Sequence, residues 1–245
     1  VNITDGIDGL AGSVTVPVDE RLVRAVLHGN EAPAMQDIRA GLLESLENPI
    51  GAKPLREEIP AGARVALVVS DMSRFWMRQD LVVPHLVDYL TQRCGVRERD
   101  ITIVIANGTH TGGDEAELRT LVTDAVYDRI TVENHNCESE DLVYLGTTPH
   151  GTPVSINRTA ALADMVICLG AATHHVMAGF GGGRKSILPG ISGLDTIRHN
   201  HAFSLDAAAL RSNPAIGNGV LDGNPLHEDM TMVMSASLAP QRRVR

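Results

Sequence analysis

Apolar positions along the chain form short runs rich in β-branched residues, and these runs predict strands. Each run is flanked on at least one side by Gly, Asp, Asn or Pro, the residues that turns and strand ends favour. Five runs have this character: Val65–Ser70, Ile101–Ala106, 130–133, Pro153–Ile156 and 165–169.

Stretches with a helical pattern lie between the predicted strands. They cover 80–93, 114–121 and 159–163, and two more, 19–28 and 34–47, precede the first strong strand. Because strand and helix alternate, we expect a mostly parallel, Rossmann-like α/β sheet with helices on both faces. A chain of 245 residues can form one such unit, so we expect a single large domain over 1–245.

Composition narrows the possible partners and compartment. Hydrophobic residues make up 43% of the chain and charged residues 21%, as in a globular protein with a substantial core. A formal net charge of −9 argues against a nucleic-acid partner, because such binding depends on clustered Lys and Arg. The apolar runs are too short to span a bilayer, and three cysteines without close spacing favour reduced thiols. We therefore expect a cytoplasmic protein with no nucleic-acid or membrane partner.

Polar side chains follow three of the predicted strands, in segments 70–74, 106–110 and 170–175. In open α/β sheets, ligands bind beyond the carboxyl ends of the strands. We therefore expect these three segments to converge on one site.

Four of the ten histidines lie within 174–201, around a glycine-rich stretch: His174, His175, His199 and His201. Imidazole suits both metal binding and acid–base chemistry near neutral pH, so the cluster favours a functional role over isolated structural histidines. His199 and His201 would face the same side only in an extended backbone, so one of the two is expected to be a bystander.

The glycine-rich stretch 179–186 reads Gly-Phe-Gly-Gly-Gly-Arg-Lys-Ser and invites comparison with the phosphate-binding loop of nucleotide hydrolases. Arg184 occupies the position of the second glycine of that loop, and the stretch begins well after the preceding strand. These residues alone leave three alternatives open: a nucleotide-binding loop, a plain connector with a solvated Arg-Lys pair, and a site for another ligand.

A longer motif resembles one family specifically. Segment 175–190, His-Val-Met-Ala-Gly-Phe-Gly-Gly-Gly-Arg-Lys-Ser-Ile-Leu-Pro-Gly, followed by Thr-Ile at 196–197 and Asn-His at 200–201, is similar to the signature of the nickel-pincer lactate racemase family. Segments 70–74 and 107–110 resemble the family's earlier motifs in the same order. The resemblance spans roughly 64–228 and identifies the chain as the family's amino-terminal, cofactor-carrying catalytic domain.

The resemblance implies a role for each matching residue. Lys185 corresponds to the covalent anchor of the cofactor, a pyridinium-3,5-bisthiocarboxylic acid mononucleotide, and His201 to its nickel ligand. Soft sulfur together with imidazole suits nickel. His110 and His175 correspond to the paired acid–base histidines. The other positions expected beside the cofactor are Asp71, Arg74, Gly182, Gly183 and Arg184.

For two of these positions, the chemistry of the side chain itself suggests a role. The Arg74 guanidinium can clamp a substrate carboxylate, because its fork matches two oxygens. Asp71 is expected to orient neighbouring groups, and its alternative role is that of a strand-end Asp that caps the following turn.

The activity implied by the resemblance is racemisation of a small, lactate-like 2-hydroxy acid by reversible hydride transfer, with cofactor maturation enzymes as partners. Val176 and Met177 stand where the family carries aromatic residues, and the family's carboxy-terminal, substrate-closing domain is not recognisable in the chain. The alternatives are a racemase or epimerase with another 2-hydroxy acid, a binding module without turnover, and a P-loop-like nucleotide-binding protein.

Overall fold

The structure is a computed structural model that describes residues 2–6, 13–26 and 33–238. The strands of the described residues are β1 (Asn2–Gly6), β2 (Ser13–Pro17), β3 (Val65–Ser70), β4 (Ile101–Ala106), β5 (Thr131–Asn134), β6 (Val143–Thr147), β7 (Pro153–Ile156), β8 (Met165–Cys168), β9 (His174–His175), β10 (Gly179–Phe180), β11 (Leu205–Asp206) and β12 (Arg211–Ser212). The α-helices are α1 (Ile38–Glu47), α2 (Leu55–Glu58), α3 (Val83–Gln92), α4 (Glu115–Val122), α5 (Asp124–Tyr127), α6 (Arg158–Leu162), α7 (Arg184–Ile187), α8 (Leu194–Ala202) and α9 (Pro225–Leu238).

The centre of the fold is a four-stranded parallel sheet in the order β5-β4-β3-β8. Its two middle strands, β3 and β4, have the predicted bounds; β5 is shifted by one residue at both ends, and β8 ends one residue earlier than predicted. The β-branched runs form these strands because they are covered on both faces, so they carry apolar residues at nearly every position. The predicted α/β class is confirmed.

Helices pack on both faces of this sheet. Alternate residues of β3 point to opposite sides: Val65, Leu67 and Val69 belong to one apolar cluster, whereas Ala66 and Val68 belong to another. The first cluster includes the buried residues of α3 and α4, and the second includes residues of α6, α7, α8 and α9. The sheet is therefore the middle layer of three.

One predicted strand lies outside the parallel sheet. Strand β7 has the predicted bounds, but it pairs antiparallel with β6, a strand that the sequence analysis missed. The signal of β6 is weak because its residues are only partly buried and Tyr144 is exposed, and a register irregularity falls between Tyr144 and Gly146. The strand itself was therefore predicted, whereas its antiparallel partner was not.

Helices α1, α3, α4 and α6 were predicted, whereas the predicted stretch 19–28 forms no α-helix in its described residues. Helices α3, α4 and α6 fall within or beside the predicted stretches. Helix α1 begins only at Ile38, because the Asp37 carboxylate accepts the Ala40 N–H and caps the helix there. Of the helix predicted over 19–28, the structure shows a single 3-10 turn at Glu20–Leu22, irregular backbone to residue 26, and no description of residues 27 and 28. Helices α8 and α9 were missed.

Within the described ranges, none of the helices combines the length and the apolar character that a membrane crossing requires.

Candidate active site

A cavity of about 300 Å³ lies at the carboxyl ends of β3, β4 and β8. Because β3 pairs with both β4 and β8, the loops that follow these strands meet at one edge of the sheet. All three segments expected to converge contribute to the cavity wall, through residues that include Ser70, Asp71, Arg74, Asn107, His110, Gly170 and Thr173. The convergence expected from the strand ends is therefore present.

The Asp71 carboxylate connects two of these segments. Its Oδ2 atom lies 2.5 Å from the His110 Nδ1 atom, and its Oδ1 atom accepts a hydrogen bond from the Ser73 hydroxyl at 2.7 Å. Asp71 precedes a 3-10 helix, but its side chain makes no capping hydrogen bond to that helix, so the capping alternative is not seen. Since the carboxylate accepts the Nδ1 proton of His110, the Nε2 atom of a neutral His110 ring carries the lone pair and can act as a base.

Arg74 lies on the same turn and lines the cavity. Its Nη1 atom donates to the Ser73 hydroxyl at 2.9 Å and, at 3.4 Å, to the Ser73 carbonyl. A guanidinium has five N–H donors, so those on Nε and Nη2 remain for a ligand. The position and the donors fit a clamp on a carboxylate.

His175 and Lys185 contact each other on the wall formed by the glycine-rich region. The Lys185 Nζ atom lies 2.8 Å from the His175 Nε2 atom. Burial, together with the positive charges of Arg74 and Arg184, lowers the pKa of Lys185 to about 8. Burial also lowers the pKa of His175 to about 4, with the Lys185 charge as the next cause. The imidazole is therefore neutral near pH 7, and a substantial fraction of the amine is uncharged.

His201 reaches the cavity from α8. Its Nδ1 atom donates to the Ile197 carbonyl at 3.0 Å, which leaves Nε2 with the lone pair of a neutral ring. Burial lowers the pKa of His201, so the neutral form that binds metals is favoured. Metal-bound histidines usually donate their second ring N–H to a carbonyl or a carboxylate in this way.

His199 and His174 do not line the cavity. On α8, residues two apart point about 200° from each other, so His199 faces away from His201. His199 is exposed and its Nδ1 atom bonds to the Asp195 carbonyl at 2.8 Å, while the exposed His174 stacks on Phe180. The histidine cluster seen in the sequence therefore divides into two residues at the cavity and two outside it.

The glycine-rich stretch forms a small hairpin, β9 and β10, followed by the one-turn helix α7. Gly182 lines the cavity, and a Cβ atom there would lie 2.9 Å from the Ala171 carbonyl oxygen, so the chain passes closely enough to need a glycine. Gly183 and Arg184 are not on the cavity wall. The Arg184 guanidinium instead donates to the carbonyls of Ala178 and Phe180 and braces the hairpin.

This geometry differs from the phosphate-binding loop of nucleotide hydrolases. In that loop the glycines lead directly from a strand into a helix whose N-terminus faces the phosphates. Here a hairpin separates β8 from α7, and α7 has only four residues. The hydrolase alternative is therefore disfavoured.

Several wall residues were missed by the sequence analysis: Trp76, Met77, Ser186, Pro189 and Ile197. Met77 and Trp76 follow Arg74 on one 3-10 helix, so their position after a strand end was the available signal. Met177 lines the cavity, whereas Val176 is 68% exposed and does not. Of the two departures from the family pattern, only Met177 thus touches the site.

The residues fit a group held by one lysine and one imidazole. In the described part of the chain, no three His, Cys, Asp or Glu side chains are arranged to hold a metal ion. His201 would therefore need donors other than these side chains to complete the coordination of a metal ion, and donors on a bound group could supply them. The lowered pKa of the Lys185 amine and the bare backbone at Gly182 fit the covalent attachment of a flat cofactor at this wall.

Comparison with known proteins places most of the chain in one family. The family model described as the lactate racemase N-terminal domain matches residues 11–212. A lactate racemase from Thermoanaerobacterium thermosaccharolyticum is 34% identical over 187 residues, and one from Lactiplantibacillus plantarum is 31% identical over 188 residues. Both alignments cover 76% of this chain and 42% of the relative, so the chain spans less than half the length of these relatives.

Solved structures give the same likeness. The lactate racemase apoprotein from T. thermosaccharolyticum superposes with a TM-score of 0.79 at 27% identity, over 97% of this chain and 54% of that chain. A Thermotoga maritima protein superposes with a TM-score of 0.62 over 82% of this chain and 47% of that chain; at 23% identity it shows a shared fold alone.

Proposed function

The chain belongs to the family of lactate racemase N-terminal domains, and from this premise we propose that it carries the cofactor-binding part of a racemase for a small 2-hydroxy acid such as lactate. The observation that carries the proposal is the set of side chains around one cavity. Lys185, His175 and His201 line the cavity together with His110 and Arg74. An amine anchor, a metal ligand, two acid–base groups and a carboxylate clamp thus face a shared space.

Lys185 and His201 are the residues that would hold the nickel-containing pyridinium nucleotide, through the amine and the Nε2 atom respectively. Such a group would supply a reversible hydride acceptor for the α-hydrogen of the substrate. The chain holds the group in place and shields it, because Lys185 and His201 are both partly buried in the cavity wall.

Arg74 is the residue proposed to bind the substrate carboxylate. Its guanidinium lines the cavity and retains free donors after its contact with Ser73. A two-point contact would fix the carboxylate and leave the rest of a small acid free to rotate about the bond between the carboxylate carbon and the α-carbon. Rotation of the intermediate keto acid is what exchanges its two faces.

His110 and His175 are proposed to move the proton of the substrate hydroxyl. They follow different strands, β4 and β8, and line the same cavity from separate segments. Each would act as base for one enantiomer and as acid for the other, because the hydroxyl is presented from opposite sides. Asp71 orients His110 through the Nδ1 contact.

Cofactor maturation enzymes are the proposed partners, since Lys185 needs a finished cofactor from outside the chain. A cytoplasmic location is proposed because Cys94, Cys137 and Cys168 are all free thiols, as in a reducing compartment. A racemase of a different 2-hydroxy acid is a second candidate, because Met177 lines the cavity at a family position for aromatic residues.

The test is to produce the protein together with the maturation enzymes and to measure intact mass, peptide masses and lactate racemisation. We expect an adduct on the peptide that contains Lys185, and Lys185→Ala should lose both the adduct and the activity. Lys53 is the matched control, because it is exposed and far from the cavity wall in sequence. Lys53→Ala should keep adduct and activity. Racemisation at the parent rate by Lys185→Ala would contradict the proposal.

A further inference from the structure

The contact between His175 and Lys185 has only one consistent arrangement of protons. The His175 Nδ1 atom faces the backbone N–H groups of Met177 and Ala178, at 3.2 and 3.1 Å, and accepts from both. A neutral ring that accepts at Nδ1 carries its proton on Nε2. The Nε2–H group then donates to the Lys185 Nζ atom 2.8 Å away, and only an uncharged amine has the lone pair to accept it.

The surroundings act in the same direction. Lys185 is partly buried, and the charged groups that act on it, Arg74 and Arg184, are both positive. Burial is the largest cause of the lowered pKa of His175, and the charges of Lys185, Arg74, His201 and Arg184 lower it as well. A protonated Lys185 would place its N–H donors against the Nε2–H donor of His175, and its positive charge would also be repelled by the arginine charges.

We propose that the His175–Lys185 pair is a reciprocal device: His175 favours the uncharged, nucleophilic form of the unmodified Lys185 amine for reaction with acyl donors, and acylation of Lys185 releases the His175 Nε2–H group from this contact so that it can take part in proton transfer. The first half concerns the reactivity of the chain itself. The second half rests on the function proposed above, because it supplies the acid–base group only after the cofactor is attached.

The covalent step is an ordinary acyl transfer. The Lys185 nitrogen lone pair forms a bond to the carbonyl carbon of an acyl donor that carries a leaving group. The bond from that carbon to the leaving group breaks, and the leaving group takes its electron pair. The nitrogen then loses a proton to water, and the resulting amide nitrogen has no basic lone pair to accept from His175.

The chain is well suited to a labelling experiment because it contains two lysines, Lys53 and Lys185, beside 19 arginines. Protein made without maturation enzymes is treated with a trace of N-hydroxysuccinimidyl acetate at a series of pH values, and the acetylation of each lysine is measured by peptide mass spectrometry. Lys53 is exposed and serves as the internal reference.

The two lysines should differ strongly. An ordinary lysine, with a pKa of about 10.4, holds roughly 0.04% of its amine uncharged at pH 7. With a pKa of about 8, Lys185 holds roughly 9%. Because partial burial slows access and a weaker base is a weaker nucleophile, we expect an advantage of about tenfold or more over Lys53 at pH 7. Labelling of both lysines with the same pH midpoint would overturn the first half.

The role of His175 is tested with His175→Gln. A Gln carbonyl can accept from an ammonium group, so the midpoint of Lys185 labelling should move to higher pH by about one unit or more. His174→Gln is the matched control, since His174 is exposed and stacks on Phe180 instead of contacting Lys185. An unchanged midpoint in His175→Gln would overturn the proposal. If that variant does not fold, ring ¹⁵N NMR of the parent decides: Nε2–H on His175 supports the pair, and Nδ1–H refutes it.

The second half is tested by NMR titration of the His175 ring. Lys185→Met removes the amine, so the pKa of His175 should rise from about 4 by about one unit, while Lys185→Arg keeps the charge and should leave it low. Equal His175 titration in both variants would overturn this half. None of these measurements uses racemase activity, so a failed racemisation assay and a failed pair are separate results.

Discussion

Replacing Asp71 with Ala removes the group that orients His110. In the structure, the Asp71 carboxylate accepts the His110 Nδ1 proton at 2.5 Å and the Ser73 hydroxyl at 2.7 Å. The Asp71 side chain is 12% exposed, whereas the His110 side chain is 54% exposed. Without this contact, the half-exposed His110 ring can rotate and can carry its proton on Nε2. The Nε2 atom then has no lone pair and cannot act as a base.

The size of the effect follows from the lost hydrogen bond. A hydrogen bond to a charged group contributes about 1.5–3 kcal/mol, and each 1.36 kcal/mol changes a rate about tenfold. We therefore expect Asp71→Ala to lower kcat by roughly 10- to 150-fold for the enantiomer that uses His110 as base. Asp71→Asn should lose less, because its amide oxygen can still accept from His110 while its NH₂ group donates to the Ser73 oxygen.

The assay measures kcat and KM with each pure enantiomer in the cofactor-loaded protein. KM should change little, because Arg74 and not Asp71 is proposed to bind the carboxylate. Ser73→Ala is the control, since it removes the second contact of Asp71 but keeps the one to His110. Ring ¹⁵N NMR of the unloaded protein gives an independent readout: the Nε2–H form of His110 should increase in Asp71→Ala.

The reasoning would be refuted if Asp71→Ala kept the kcat of the parent with both enantiomers. It would also be refuted if Ser73→Ala lowered kcat as much as Asp71→Ala, because the contact to His110 would then not be the decisive one. A change in kcat without a change in the His110 tautomer would assign Asp71 a different role.

Three further changes test the packing and the metal ligand. Asp229→Ala removes the acceptor of three buried hydrogen bonds and should lower the free energy of unfolding in urea by about 3 kcal/mol or more. The control, Asp195→Ala, removes an exposed carboxylate and should change the free energy of unfolding little. Equal losses of stability in both variants would contradict the role given to Asp229. His201→Ala should reduce nickel content at matched cofactor occupancy, while His199→Ala should not. Equal losses of nickel in the two variants would contradict the choice of His201 as the metal ligand. Gly182→Ala, at a φ of 72° and close to a backbone carbonyl, should lower stability by about 1–3 kcal/mol, which an unchanged thermal transition would disprove.

The sequence alone predicted the central sheet and several of the residues that line the cavity. Strands β3 and β4 were predicted with their observed bounds because a parallel strand covered on both faces needs an unbroken apolar run, and such runs are visible without a structure. Lys185, His175 and His201 lie on the cavity wall, where the motif led us to expect them. Short-range pattern was sufficient for these features because each depends on residues close together in the chain.

Which segments pair or face each other, by contrast, was decided only by the tertiary structure. Strand β7 was predicted, but its antiparallel pairing with β6 depends on a partner whose own pattern is weak. The conformation of α8 separates His199 from His201, and no local signal distinguished a helix there from an extended segment.

The contacts that give the site its chemistry were also decided only by the tertiary structure. Asp71 and His110 are 39 residues apart, and they meet because β3 and β4 are neighbours in the sheet. His175 reaches Lys185 because the β9–β10 hairpin turns the chain back over α7. A hydrogen bond requires two atoms within about 3 Å, and a distance of that size between remote residues is fixed by strand order and packing, which the identity of the residues does not reveal.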